Sequence, residues 1–194
     1  MGNLRSVSKA LEHVAPHSKV AVTADPAAIR AADRVVVPGQ GAMPECMRQL
    51  AASGAREAVM DALRDKPYLG ICLGLQMLFE RADEGDTPGL ALFGGHVPRF
   101  SLSGLKIPHM GWNQVIQEKP HALWAGIPDQ TRFYFVHSYF AAPQDPALAA
   151  ATCVYGAPFT CAVARDNIFA VQFHPEKSQS AGLQLLSNFI RWRP

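Results

Sequence analysis

Three short stretches hold residues able to act together on an amide or an ester. Lys66 to Met77, KPYLGICLGLQM, sets Cys72 between Gly70 and Gly74. G-x-C-x-G is the cysteine form of the strand-to-helix turn that lifts a nucleophile clear of a sheet. Its glycines relieve clashes at a tight turn. A thiol there sits at a helix N-terminus, where unpaired N–H groups favour the thiolate. The Leu73 N–H is then placed to donate to an oxyanion on the attacked carbon. The competing interpretation is a buried structural cysteine, since free cysteine packs as a small hydrophobe. The second stretch, Ile168 to Phe173, reads as a strand ending in His174-Pro175-Glu176. Residues i and i+2 of an extended segment point the same way, and the proline keeps His174 out of a helix. Imidazole and carboxylate can therefore stand side by side. With the thiol they supply a nucleophile, a general base and acid, and an orienting group. Alone, the pair would be an ordinary surface turn. The third stretch is Pro38-Gly39-Gln40-Gly41. Its glycines let backbone amides face a ligand, so the Gln40 or Gly41 N–H is a candidate second oxyanion donor. A plain strand-to-helix turn also needs glycine there.

The elements around these stretches must bring them together. Leu4, Val7, Leu11 and Val14 fall on one face of an opening helix, with Asn3 or Ser6 as its cap. Lys19 to Thr23 reads as a strand, and Asp25-Pro26 as a helix start. Arg34 to Val37 is a short apolar strand of the kind buried on both faces of a parallel sheet. Pro44 to Ala52 and Arg56 to Arg64 read as helices, and a helical pattern (Leu75, Met77, Leu78, Phe79) follows Cys72. Strand alternating with helix argues for a parallel α/β sheet. In such a sheet active sites lie at the carboxyl edge of the strands, where all three stretches end. The pattern changes after Arg81. Gly89 to Pro108 holds only short strand-like pieces. Trp112 to Gln117, Arg132 to Tyr139 and Ala149 to Tyr155 read as strands. Phe159 to Ala164 and Ile168 to Phe173 flank a hairpin turn at Arg165-Asp166-Asn167, and Ser178 to Trp192 is a last helix with Ser178 as its cap.

Composition narrows the class. A chain of 194 residues, 48% apolar and 18% charged, suits one globular domain over residues 1–194. A net charge of +2 argues against a nucleic-acid binder. No apolar run reaches membrane-spanning length, and no signal peptide is evident. Cys46, Cys72, Cys153 and Cys161 lack zinc spacing or disulfide-framework density. A cytoplasmic setting with reduced thiols is expected. His13, His17, His96, His109 and His121 show no ligand spacing and are assigned no role.

PGQGAM, GICLGLQ and HPEKS, in this order and at these distances, resemble class I (triad) glutamine amidotransferases. MGNLRSV, IPHMGWN, FYFVHSY and the Lys177-Ser178 after the triad glutamate narrow the resemblance to the glutaminase subunits of imidazole glycerol phosphate synthases. It spans essentially the whole chain. It implies a flavodoxin-like, three-layer α/β fold with a mixed, mostly parallel sheet. It also implies glutamine hydrolysis through a cysteine thioester by Cys72, His174 and Glu176, with no metal or cofactor. The oxyanion would be held by Leu73 and by Gly39, Gln40 and Gly41. Gln76 and the segment His137, Ser138, Tyr139 match positions that hold the amino-acid end of glutamine. The ammonia would pass to a (β/α)8-barrel cyclase in a heterodimer that makes imidazole glycerol phosphate and AICAR in histidine biosynthesis. Asn3, Met110, Trp112, Tyr134 and Lys177 match interface positions. The chain departs from the resemblance in two places. The first strand, ordinarily ahead of M-G-N-L-R-S, is missing, so an earlier native start about ten residues upstream is expected. Gln40 stands where the loop more often carries valine. The rival interpretations are a related amidotransferase such as the pyridoxal-phosphate-forming type, a stand-alone cysteine hydrolase, and a catalytically silent interaction subunit.

Overall fold

A computed structural model describes residues 2–39, 41–101 and 103–194, the side chain of Asn3 excepted. The roles expected of Gln40 and of the Asn3 side chain thus lie outside the described residues. In chain order the helices are α1 (Gly2–Val14), α2 (Pro26–Ala31), α3 (Met43–Ala52), α4 (Ala55–Asp65), α5 (Leu73–Gln76) and α6 (Gln179–Arg191). The strands are β1 (Val35–Gly39), β2 (Tyr68–Cys72), β3 (Phe79–Ala82), β4 (Thr87–Pro88), β5 (Phe93–Val97), β6 (His109–Gln114), β7 (Ile116–Gln117), β8 (Arg132–His137), β9 (Ala142–Pro143), β10 (Ala149–Tyr155), β11 (Ala157–Arg165) and β12 (Ile168–Val171).

The central sheet has the order β1-β2-β12-β11-β10-β7. Its parallel part is confined to β1, β2 and β12. The ladders from β12 outward are antiparallel, a smaller parallel share than the resemblance implies. The reason is local. A two-residue turn at Asp166-Asn167 joins β11 to β12 with Arg165 opposite Ile168, and a tight turn at Gly156 joins β10 to β11. Connections that short can make only antiparallel pairs.

Alternation along β2 and β12 divides the core into two layers. Leu69, Ile71, Phe169 and Val171 enter one cluster with Val7 and Leu11 of α1 and Leu185, Leu186 and Phe189 of α6. Tyr68, Ile168 and Ala170 enter the other with Ala58, Val59, Ala62 and Leu63 of α4 and Met43 of α3. A sheet buried on both faces between two helical layers is the expected three-layer architecture.

Several local readings hold. Asp25 caps α2 through bonds from the Ala27 and Ala28 N–H groups, with Pro26 next. Others need correction. Lys19 to Thr23 carries no ladder bonds and is largely exposed, and β1 is an edge strand of the sheet. An extended segment becomes a strand only where a neighbour shares its hydrogen bonds, and none of the described residues does so here. Ser6 lies within α1 rather than at its cap. The helix after Cys72 is a single turn, because Phe79–Ala82 leaves it to pair with β5 and β4.

Candidate active site

The register of the sheet brings the three chemical stretches together. Gly39, last residue of β1, is paired with Cys72, last residue of β2. On the other side Val171 pairs with Ile71 in parallel, so the chain after β12 leaves at the same edge. His174 follows three residues later.

Backbone geometry at Cys72 is strained. Its φ is 56° and ψ −105°, a positive-φ conformation that a non-glycine residue rarely adopts. Two glycines make the turn possible. A Cβ on Gly74 would lie 1.8 Å from the Val37 carbonyl oxygen, and one on Gly39 would lie 2.4 Å from the Leu73 Cβ. β1 and the turn after Cys72 are therefore in contact with no space for a side chain. The turn of α5 is too short to build much of a dipole.

His174 and Glu176 form a buried pair, as the i and i+2 spacing predicts. The His174 Nδ1 stands 2.8 Å from Glu176 Oε1, with side chains 1% and 0% exposed. Burial alone would lower the His174 pKa. Hydrogen bonds and charge from Cys72 and Glu176 outweigh burial and raise it to about 9. The ring is thus hydrogen-bonded to the carboxylate and electrostatically coupled to the thiol. The main chain holds the ring in place. Its N–H donates to the Tyr134 carbonyl at 2.9 Å. Ser178 Oγ donates to the His174 carbonyl at 2.7 Å and accepts from the Tyr134 N–H at 2.9 Å. The Ser178 hydroxyl therefore pins the turn to β8 and makes no cap bond to α6, contrary to its expected role.

Sequence reasoning missed two groups here. Gln172 is fully buried, and its Nε2 donates to the Cys72 Sγ at 3.5 Å. Its Oε1 accepts from the Gln76 Nε2 at 3.0 Å, and Gln76 also donates to the Tyr139 carbonyl at 3.1 Å. A lone amide in the apolar run Ile168 to Phe173 was the available signal, because buried polar groups are kept only where they are bonded. The second group is His109, which had no expected role. Its Nδ1 lies 3.0 Å from the His137 Nε2, while the His137 Nδ1 lies 2.7 Å from the Tyr139 carbonyl. Both His137 ring nitrogens are thus engaged within the protein.

The expected interface residues lie beside this site. Met110 and Trp112 are 62% and 43% exposed, on the face of β6 opposite His109 and Asn113. Trp112 pairs with Tyr134 across β6 and β8, ring centroids 6.1 Å apart. Lys177, next to Glu176, places its Nζ 5.8 Å from the Tyr134 ring centre. Among the described residues no cluster of His, Cys, Asp or Glu is arranged to hold a metal ion. No helix among them is long and apolar enough to cross a membrane.

The chain that sets a strained cysteine and a buried His–Glu pair at the carboxyl edge of a mixed sheet matches one known family over nearly its whole length. The model of the class-I glutamine amidotransferases covers residues 2–192, and the chain belongs to that family. Solved structures share the fold. One, from Thermoplasma acidophilum, is described as part of a putative GMP synthase, with a TM-score of 0.72 at 21% identity, covering 97% of this chain and 86% of that one. Another is the glutaminase domain of Trypanosoma brucei CTPS with bound acivicin, with a TM-score of 0.62 at 16% identity, covering 99% and 89%. Within the family, the chain is similar to the imidazole glycerol phosphate synthase subunit HisH of Dechloromonas aromatica, 64% identical over 100% of this chain and 94% of that protein. The HisH subunit of Aromatoleum aromaticum is 63% identical over 100% and 95%.

Proposed function

We propose that this chain is the glutaminase subunit of an imidazole glycerol phosphate synthase, in which Cys72, His174 and Glu176 hydrolyse glutamine. The observation that carries the reading is the strained Cys72 at the sheet edge where the buried His174–Glu176 pair also lies, with the thiol and the imidazole electrostatically coupled. Cys72 attacks the side-chain amide carbon of glutamine while its proton passes to His174. The C=O electrons move to oxygen, and the oxyanion accepts from the Leu73 N–H and from the Gly39-Gln40-Gly41 loop. His174 returns the proton to nitrogen as the C–N bond breaks, releasing ammonia and a glutamyl thioester. Water, deprotonated by His174, then cleaves the thioester to glutamate and restores the thiol. Glu176 holds the imidazole so that its Nε2 faces the sulfur. Gln76 and the Ser138-Tyr139 segment hold the amino-acid end of the substrate. His137 serves that segment through its bond to the Tyr139 carbonyl. No metal or cofactor enters these steps.

The partner is a (β/α)8-barrel cyclase that consumes the ammonia in histidine biosynthesis, in a cytoplasmic heterodimer. The Met110–Trp112–Tyr134–Lys177 face is its docking surface, and Asn3 is assigned to the same interface by the resemblance alone. Exposed Met and Trp beside a basic residue suit a partner surface, and this one adjoins Glu176, so released ammonia has a short protected route. The test is glutamate release from glutamine, with and without the cyclase and its nucleotide substrate. Release that requires the liganded cyclase supports the proposal. Equal release by the chain alone would make it a free-standing hydrolase, and no release under any condition would make it a silent subunit.

A further inference from the structure

A continuous hydrogen-bond chain, its side chains buried from His109 to Gln172, links the β6 strand to the reacting sulfur, and the donor sense of every link is determined. At one end the Asn113 Oδ1 accepts from the Gln114 N–H at 2.8 Å, so its Nδ2 faces the Val154 carbonyl at 2.8 Å and the His109 Nε2 at 3.2 Å. His109 Nε2 therefore accepts, and His109 Nδ1 donates to His137 Nε2. His137 Nδ1 donates to the Tyr139 carbonyl, which can only accept. The same carbonyl requires the amide nitrogen of Gln76. That nitrogen, donating also to Gln172, requires the Gln172 oxygen, and the Gln172 Nε2 is left facing the sulfur. The arrangement needs both imidazoles neutral, since an added proton on either ring would set two N–H groups against each other. Burial lowers His109 to about 4 and His137 to about 3, as this requires.

We infer that Gln172 stabilises the Cys72 thiolate by donating to its sulfur, and that Gln76, His137 and His109 are positioning residues that keep the Gln172 amide turned that way. The inference rests on the glutaminase reading above and deepens it. A donor aimed at the sulfur favours the anion over the neutral thiol. Once the thioester forms, the sulfur is neutral and a poor acceptor, so the donor favours the attacking state of Cys72. His109 reaches the sulfur only through four other groups. Its ring also stacks on Tyr155 and Phe135, with centroids 4.1 and 4.9 Å away. Its packing and its polarity can therefore be separated by substitution.

The experiment uses the chain assembled with its partner subunit. It reads kcat and KM for glutamine from glutamate release, and the rate of Cys72 alkylation by iodoacetamide from peptide masses. Gln172→Met retains bulk and loses the donor. It is expected to lower kcat about ten- to hundredfold, the effect of one hydrogen bond to a charged group. KM stays within twofold, and alkylation slows by a similar factor. His109→Phe retains the stack and is expected to lower both rates about three- to tenfold. His109→Asn, whose amide nitrogen stands near the position of Nδ1, restores them to within twofold. Wild-type rates in folded Gln172→Met and His109→Phe overturn the inference. So does a higher KM with unchanged kcat, or His109→Asn as impaired as His109→Phe. If Gln172→Met does not fold, the two His109 variants decide the matter. A wild-type complex that hydrolyses no glutamine would refute the glutaminase reading instead, and Cys72 alkylation would still test the relay.

Discussion

Replacing Glu176 with glutamine separates charge from shape at the centre of the site. Glu176 Oε1 accepts from His174 Nδ1 at 2.8 Å with both side chains closed to solvent. Its second oxygen, Oε2, is buried and has no hydrogen-bond partner among the described residues. Glutamine fits the same volume in either of two orientations. If its oxygen faces His174, the tautomer is retained but the NH2 occupies the partnerless position. If its NH2 faces His174, a carbonyl occupies that position, and an unpaired buried carbonyl costs less than an unpaired N–H. The second orientation is favoured, by about 1–2 kcal/mol on ordinary desolvation costs. It turns the imidazole so that Nε2 carries the proton and cannot accept one from the thiol. That bias removes about five- to thirtyfold of the competent form. Losing the charge reduces a charge-assisted hydrogen bond to a neutral one, about 1 kcal/mol or a further fivefold. Together kcat should fall about 25- to 150-fold with KM nearly unchanged. The His174 titration should move down from about 9 toward the ordinary histidine range. Steady-state glutamate release and imidazole 15N shifts would measure both. A Glu176→Gln complex with more than half the wild-type kcat, or with Nδ1 still carrying the proton, would refute the reasoning.

Three further outcomes follow from the same geometry. Gly74→Ala sets a Cβ 1.8 Å from the Val37 carbonyl, so the Cys72 turn must move off β1; thermal unfolding should show a loss of about 1–3 kcal/mol, and glutaminase activity should disappear. Trp112→Ala, at an exposed position, should leave thermal stability within about 0.5 kcal/mol and weaken partner binding about thirtyfold, near 2 kcal/mol, by calorimetric titration. Stability against urea should be greatest near pH 6.5. His109, His121 and His137 have pKa values lowered to about 4, 4 and 3, so the unfolded chain binds more protons below pH 6.5 and stability falls as pH drops toward 4. His174, raised to about 9, contributes stability that is fully present below pH 6.5 and lost as pH rises through 9. Urea midpoints at pH 4.5, 6.5 and 9 that rise steadily in either direction would contradict this balance.

The amino-acid order by itself determined the chemistry. Cys72 between two glycines and His174 two residues before Glu176 are local patterns, and local sterics dictate what such patterns can do. The helices α2, α4 and α6 were legible for the same reason, because capping and periodicity act within a few residues. Tertiary structure alone decided the rest. Whether Lys19 to Thr23 became a strand depended on a neighbour far along the chain, and whether the sheet continued parallel depended on turns between β10, β11 and β12. Ser178 spends its hydroxyl on β8 instead of α6 because folding sets the Tyr134 N–H beside it. Gln172, Gln76, His137 and His109 carry no motif that joins them. Their common role exists only because packing removed water from around them, and each polar atom then had to find its partner across the fold.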